Sequence, residues 1–395
     1  MQRVLQSSGE RTPVPPRERL PSLTGLRFWA ALLVVAYHLS REYRRLPLVS
    51  PLVWYGRDGV TFFFVLSGFV LAWSYAGARV PALTFYRRRL ARIWPLHALT
   101  SGFALVVTAA AGAALPLTAA LWSLPLLQAW VPALVYGANP AAWSLSAEAW
   151  FYLLLPFLLP PLARRSSRGL AVLAGAACLC GAALWFGGAL VAPPALRDWL
   201  LDYLPLTRTP QFLLGAAAGV WVRRGGRLRV PVGAAVAALL LWHAALVPWS
   251  AAVAENRWYS PYSGSQLLVA PLFAVLITAA AGRDADGRPS LLGSRPMRRL
   301  GHWSFAWYLV HQSCLRLALL LAGRPRGEPA AAVGWLLVGG LSLGLAGALF
   351  QWVERPLERR LRGRHTLEPG PVIPRARLQS RSAERDYSRE PSRLM

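Results

Sequence analysis

Two ionisable side chains sit inside a run that is otherwise built for lipid. The segment TGLRFWAALLVVAYHL carries Arg27 and His38 among apolar neighbours. They are eleven residues apart, or three helical turns, so a helix projects both from one face, about 16 Å apart along its axis. A charge within a membrane span costs ~3 kcal/mol or more, so each residue asks for a partner or a role. Imidazole can accept and return a proton near neutral pH, which suits a general base or a nucleophile. Arginine offers a permanent charge for an anion. The pair alone leaves a plainer account open, with Arg27 as an interfacial anchor and His38 as a helix end wetted by headgroups.

Three further segments hold polar groups in apolar settings. In AAWSLSAEAWFYLLLP, Glu148 lies in an apolar run with Trp143, and Ser144 precedes it by four residues, on the same helical face. Ser144 as an N-cap and Glu148 as a first-turn acid would contribute about 1 kcal/mol of helix stability. A glutamine would serve that purpose at lower cost in lipid, which favours a functional carboxylate. The segment GVTFFFVLSGFVLAW presents Ser67 and Gly68, small enough for a backbone or a ligand to approach closely. In LGHWSFAWYLVHQSCL, His302 stands at a helix entrance, with Tyr308 and His311 deeper in the helix. Ser67, Trp143, Ser144, Tyr308 and His311 are the candidates for contacting a substrate. The loop after the second span, FYRRRLARIWP, reads either as a stop-transfer cluster or as a phosphate clamp. In the clamp reading Arg88, Arg89 and Arg92 offer planar, multi-donor recognition of phosphate.

The elements that must position these groups are membrane helices. Of 395 residues 55% are hydrophobic and 15% charged, against about 25% charged in a soluble domain. Apolar runs recur at the roughly 20-residue length that spans a bilayer, among them Leu170–Leu190, Val230–Val247 and Gln266–Ala281. Spans are expected at 22–40, 58–76, 85–111, 143–162, 170–191, 206–222, 230–249, 265–281, 303–322 and 331–352. This is an all-α, polytopic bundle of ten helices. A shorter apolar stretch, Leu117–Val135, carries Pro116, Pro125 and Pro132 at its edge or within it. All 43 basic residues are arginine and the net charge is +26. The arginines fall in short loops and tails between spans, which is a topology signal and not a nucleic-acid groove. The clusters around Arg87–Arg92, Arg164–Arg168, Arg223–Arg229 and Arg295–Arg299 share the cytoplasmic side only if 117–135 does not cross. That stretch is then re-entrant or interfacial, both termini are cytoplasmic, and Arg41, Arg44 and Arg45 are exceptions on the outer side. Residues 1–21 and 361–395 read as flexible tails, with no apolar core for a cleavable signal in the first of them. Cys178, Cys180 and Cys314 have neither metal-ligand nor disulfide spacing.

Taken in order, LTGLRFWAALLVVAYHL, GVTFFFVLSGFVL, FYRRRLARIWPL, AWSLSAEAWFYLLLP, LGHWSFAWYLVH and VERPLERR resemble the acyltransferase-3 family of polytopic membrane acyltransferases. The blocks span residues 23–360. The resemblance implies a ten-helix membrane domain over 22–360 that takes an acyl group, often acetyl, from cytoplasmic acyl-CoA. The acceptor is a hydroxyl on a glycan or on a secondary metabolite such as a macrolide. It makes His38 and Arg27 essential, with the arginine segment and the WSL-E segment in support. No cofactor is held permanently, and acyl-CoA is a substrate. The family's first block usually has an acid where Thr24 stands here, so a charge partner for Arg27 must come from elsewhere. On this reading Arg88, Arg89 and Arg92 hold the phosphates of the donor and Arg27 stabilises the oxyanion. Glu148 is expected to orient His38. A transporter or flippase that relays protons or binds an anion through Arg27, His38 and Glu148 is the alternative from a different class. The absence of visible repeats or broken helices weighs against it.

Overall fold

The computed structural model describes residues 20–361 except 79, 192 and 253–265. The expected tails therefore lie outside the described residues, apart from the few that flank the first and last helices. Ten long helices follow in order: α1 Pro21–His38, α2 Gly59–Tyr75, α3 Ala82–Ala110, α4 Trp143–Leu162 and α5 Ser167–Val191, then α6 Thr209–Arg223, α7 Val232–Ala252, α8 Ala270–Ala285, α9 Arg295–Ala322 and α10 Glu328–Leu349. No strand occurs among the described residues. Eight of the helical stretches are long and apolar enough to cross a bilayer, and Val232–Leu246 is a shorter apolar helix. Large apolar side chains such as Phe157, Leu179, Leu241 and Leu336 are exposed on the outside of the bundle, more than half of each being uncovered. A soluble protein rarely leaves so much apolar surface bare. The chain is a multi-pass, all-α membrane protein.

The bundle is held at its centre by α2 and α6. Gly68 of α2 abuts the Phe212 carbonyl, and Gly215 and Gly219 of α6 abut the Val65 and Phe69 carbonyls in return, so any Cβ at these positions would collide with backbone. Where lipid tails are as apolar as side chains, such close approach is what makes two helices associate. Gly68 is thus a packing residue, and its neighbour Ser67 is the one free to face a ligand. Helix α1 lies along α9 in the same manner. Gly301 accommodates the Thr24 carbonyl, and Gly25 accommodates the Leu292 carbonyl in the turn just before α9.

The arginine clusters expected on one side gather at one end. Arg223 donates to the Trp73 carbonyl at 2.7 Å, Arg224 to the carbonyls of Ala163 and Arg165, and Arg87 to the Leu361 carbonyl at 3.1 Å. Arg227 pairs with Asp286 at 2.7 Å. Arg41, Arg44 and Arg45 sit at the opposite end, where Arg44 donates to the Pro325 carbonyl at 3.0 Å and Arg45 lies over the Trp54 ring. The stretch from Leu117 breaks into a seven-residue helix, Leu117–Ser123, and three single turns, Gln128–Trp130, Pro132–Leu134 and Pro140–Ala142. It folds back against α3, where Trp94 and the buried His97 bond the carbonyls of Leu124 (3.0 Å) and Ser123 (2.8 Å). Gln128 and Asn139 then donate to the carbonyls of Ala142 and Leu309. Backbone polar groups away from water need such partners, and these are how an irregular segment is accommodated beside helices.

Two boundaries differ from the sequence reading. The FYRRRLARIWP segment is not a loop. It forms part of the first turns of α3, which starts at Ala82 behind Pro81, and arginine is a good helix former. Helix α9 begins at Arg295, eight residues before the expected start, so His302 lies two turns inside it. Pro296 in the first turn and Ser294 as cap residue set that start.

Candidate active site

Helix α1 does not stop at His38. It widens into a π-turn over Leu39–Tyr43, a geometry that often accompanies functional sites. The turn brings Glu42 back beneath His38, with the His38 Nδ1 to Glu42 Oε1 distance at 2.8 Å. Gln312 of α9 donates to the same carboxylate oxygen at 3.2 Å. With Nδ1 donating to Glu42, the lone pair is left on Nε2, for which no hydrogen bond occurs among the described residues. That is the arrangement of a base and its orienting acid. The carboxylate hydrogen-bonded to His38 is therefore Glu42 and not the expected Glu148.

His311 continues the line. Its ring centroid is 5.1 Å from that of His38 and 6.0 Å from that of Tyr308. Its Nδ1 faces the Tyr308 carbonyl at 2.7 Å, which makes that nitrogen the donor. Its Nε2 is buried without a hydrogen-bond partner, an acceptor held away from water. Such a group costs about 1–3 kcal/mol unless something satisfies it.

From Tyr308 a polar cavity of about 170 Å³ opens toward the arginine-rich end. Arg27, Ser67, Arg89, Arg92, Ser144, Glu148, Tyr152 and Tyr308 line it, among Phe63, Phe64 and Phe305. Ser144 Oγ and the Tyr308 hydroxyl are 2.9 Å apart at its inner part. Glu148 accepts a short hydrogen bond from the Tyr152 hydroxyl and lies 3.5 Å from Ser67 Oγ. Trp143 is packed edge-on against Tyr203 and Phe64 and does not line the cavity.

The three clamp arginines part company. Arg92 is tied by Glu354 and Glu358, each at 2.7 Å, which fastens α3 to the chain's last described turns. Arg89 faces the cavity from a nest of Tyr75, Phe85 and Tyr152 rings, and its guanidinium donates to the Tyr75 hydroxyl at 3.2 Å. Arg88 is buried and does not line the cavity. Arg27 lines the cavity, and no ion pair to it occurs among the described residues. Arg27 and His38 lean the same way along α1. Their eleven-residue separation therefore keeps the two side chains about 16 Å apart along the axis, which sets Arg27 away from a carbonyl attacked at His38.

His38 with its carboxylate thus lies beyond Tyr308 and His311, and the arginine-lined cavity lies on the other side of Tyr308. The Acyltransferase domain family, Acyl_transf_3, matches residues 20–351. The chain belongs to the acyltransferase-3 family. Acyltransferase MdmB of Streptomyces mycarofaciens is 33% identical over 392 residues, covering 91% of this chain and 97% of that protein. Protein 2 in picA locus of Rhizobium radiobacter is 39% identical over 89 residues, which is 21% of this chain and 43% of that protein. No solved structure matches the chain. An acyltransferase-3 chain of this kind is an acyltransferase, and the transporter alternative falls away.

Proposed function

We propose that this acyltransferase-3 protein moves an acyl group, acetyl in the first instance, from acyl-CoA to a hydroxyl of a glycan or of a secondary metabolite such as a macrolide. The observation that carries the reading is the His38–Glu42 pair, with a free Nε2, set three turns along α1 from an unpaired arginine in a polar chamber. The donor enters from the arginine-rich, cytoplasmic end, with both termini on that side. Its phosphates meet Arg27 and Arg89, where planar guanidinium groups give the strongest charge-assisted bonds. The pantetheine arm runs past Tyr152 and Glu148 toward Tyr308.

His38 Nε2 takes the proton of the acceptor hydroxyl as its oxygen attacks the thioester carbonyl. The negative charge on that carbonyl oxygen is met by the hydroxyls of Tyr308 or Ser144, the donors at the inner part of the cavity. The carbon–sulfur bond then breaks, and the proton held on His38 passes to the CoA thiolate. Glu42 keeps Nδ1 protonated throughout and stabilises the imidazolium while it lasts. His311 Nε2 accepts a hydrogen bond from the acceptor, which satisfies its otherwise orphaned lone pair.

The test is release of CoA from acetyl-CoA by the purified protein with a panel of hydroxylated acceptors, beside His38→Ala. Turnover that requires both an acceptor and His38 supports the reading. Turnover that survives loss of His38 would overturn it.

A further inference from the structure

A second concave site lies outside the chamber, between α9 and α10 at the arginine-rich end. It is a groove of about 730 Å³. Arg295, Arg298 and Arg299 from the first two turns of α9 line it, with Arg355 from the far side of α10. None of the four forms an ion pair among the described residues, since the nearby acids Glu354 and Glu358 are engaged by Arg92. The Nε of Arg298 is buried with no hydrogen-bond partner. The first turn of α9 contains no acidic residue, so three cations crowd the positive end of a helix dipole. Four guanidinium groups gathered this way repel one another until an anion joins them.

Beyond the arginines the groove is lined by His302 and Gln351 and by the mostly apolar Trp303, Phe350, Trp352 and the small residues of α10, and it is open to the side. Trp303 forms its wall, stacked beneath the Arg299 guanidinium at 5.1 Å and seated against Gly347. Gly344 lies along the same face of α10, and a Cβ added there would meet nothing within 4 Å. Leu341, one turn further along α10, is 73% exposed, so this helix faces lipid. Charge at the membrane boundary, an aromatic wall and a bare furrow running into the apolar zone fit a lipid better than a soluble anion. Basic recesses between spanning helices are where phosphate headgroups bind.

We propose that the Arg295/Arg298/Arg299/Arg355 groove binds an anionic phospholipid, its phosphate among the four arginines and one acyl chain along Trp303 and Gly344. The same phosphate chemistry could come from the nucleotide of CoA, so the experiment separates the two sources.

Native mass spectrometry of the detergent-purified full chain, titrated with cardiolipin and with phosphatidylcholine, reads the affinity. The triple variant R295Q/R298Q/R299Q should weaken cardiolipin binding about a hundredfold, at the ~1 kcal/mol per arginine expected near a headgroup layer. A charge-matched control, R164Q/R165Q/R168Q, removes three exposed arginines at the same end and should change it less than about twofold. Gly344→Leu keeps every charge, fills the furrow from open space, and should also weaken binding. Excess CoA should leave the lipid in place. Equal losses in the groove and control variants, or full binding by G344L, would overturn the proposal. Displacement of cardiolipin by CoA would overturn it in favour of the nucleotide. Helical circular dichroism of each variant keeps misfolding distinct from lost binding.

Discussion

Two histidines in this bundle face a carboxylate, and the contrast between them separates chemistry from architecture. His38 has one nitrogen on Glu42 at 2.8 Å and, among the described residues, no hydrogen bond on the other. His243 of α7 has one nitrogen on Asp58 at 3.1 Å and the other on its own helix, at the Leu239 carbonyl, 2.9 Å away. With Asp58 at one nitrogen and a carbonyl at the other, the His243 ring leaves neither nitrogen open to a substrate. It ties α7 to the start of α2, as Tyr55 does by donating to the Leu246 carbonyl at 3.0 Å. Close by, Asp202 joins Arg57 at 2.6 Å and Arg208 at 3.5 Å, so this corner is cross-linked by charge. A histidine–carboxylate pair is thus not by itself a catalytic sign. The unclaimed nitrogen is what distinguishes His38.

Substitution can break or sharpen this contrast. His38→Ala should lower acyl transfer by about 10³-fold, within the range for a lost general base, as read by CoA release. His243→Ala should lose thermal stability while the rate per folded molecule holds. Equal loss of rate in both would end the distinction. Glu42→Gln should cost about 10²-fold in kcat, because an amide can hold the ring but cannot stabilise its charged form. Arg27→Gln should raise KM for acyl-CoA about tenfold or more with a smaller change in kcat, as expected for a charge-assisted bond to phosphate. A loss confined to kcat would instead return Arg27 to the chemical step. Asp58→Asn should give the smallest effect on rate, with about 1–3 kcal/mol of stability lost where His243 is left with a poorer partner, checked by thermal unfolding.

Much of the framework was legible because hydropathy and arginine placement are strong signals. The re-entrant character of the stretch from Leu117 followed from charge alone, and the segment does fold back beside α3. Glu42 was not found, although it stands four residues after His38. The sequence HLSREYRR reads as the polar end of a span, and nothing in it announces the π-turn that carries the helix past Ser40. The assignment of Glu148 to His38 failed because a carboxylate in an apolar segment has no address in one dimension. Only packing shows that α4 delivers it to Tyr152 and Ser67. The pairing of Arg92 with Glu354 and Glu358 is likewise a contact between residues more than 260 positions apart.

On the proposed reading, helix α1 carries the donor's anchoring arginine and the base on one rod, and this makes it a ruler. The distance from phosphate to reacting carbonyl is set by a count of residues, not by a movable loop. Adding one residue between Arg27 and His38 would turn the base through about 100° and off the site, whatever the chemistry available to it. Adding a full turn of four would restore the face but lengthen the rod by about 6 Å, which misplaces the thioester of a donor whose arm is unchanged. The enzyme's tolerance for different acyl groups must therefore lie beyond the sulfur, since everything before it is measured by α1.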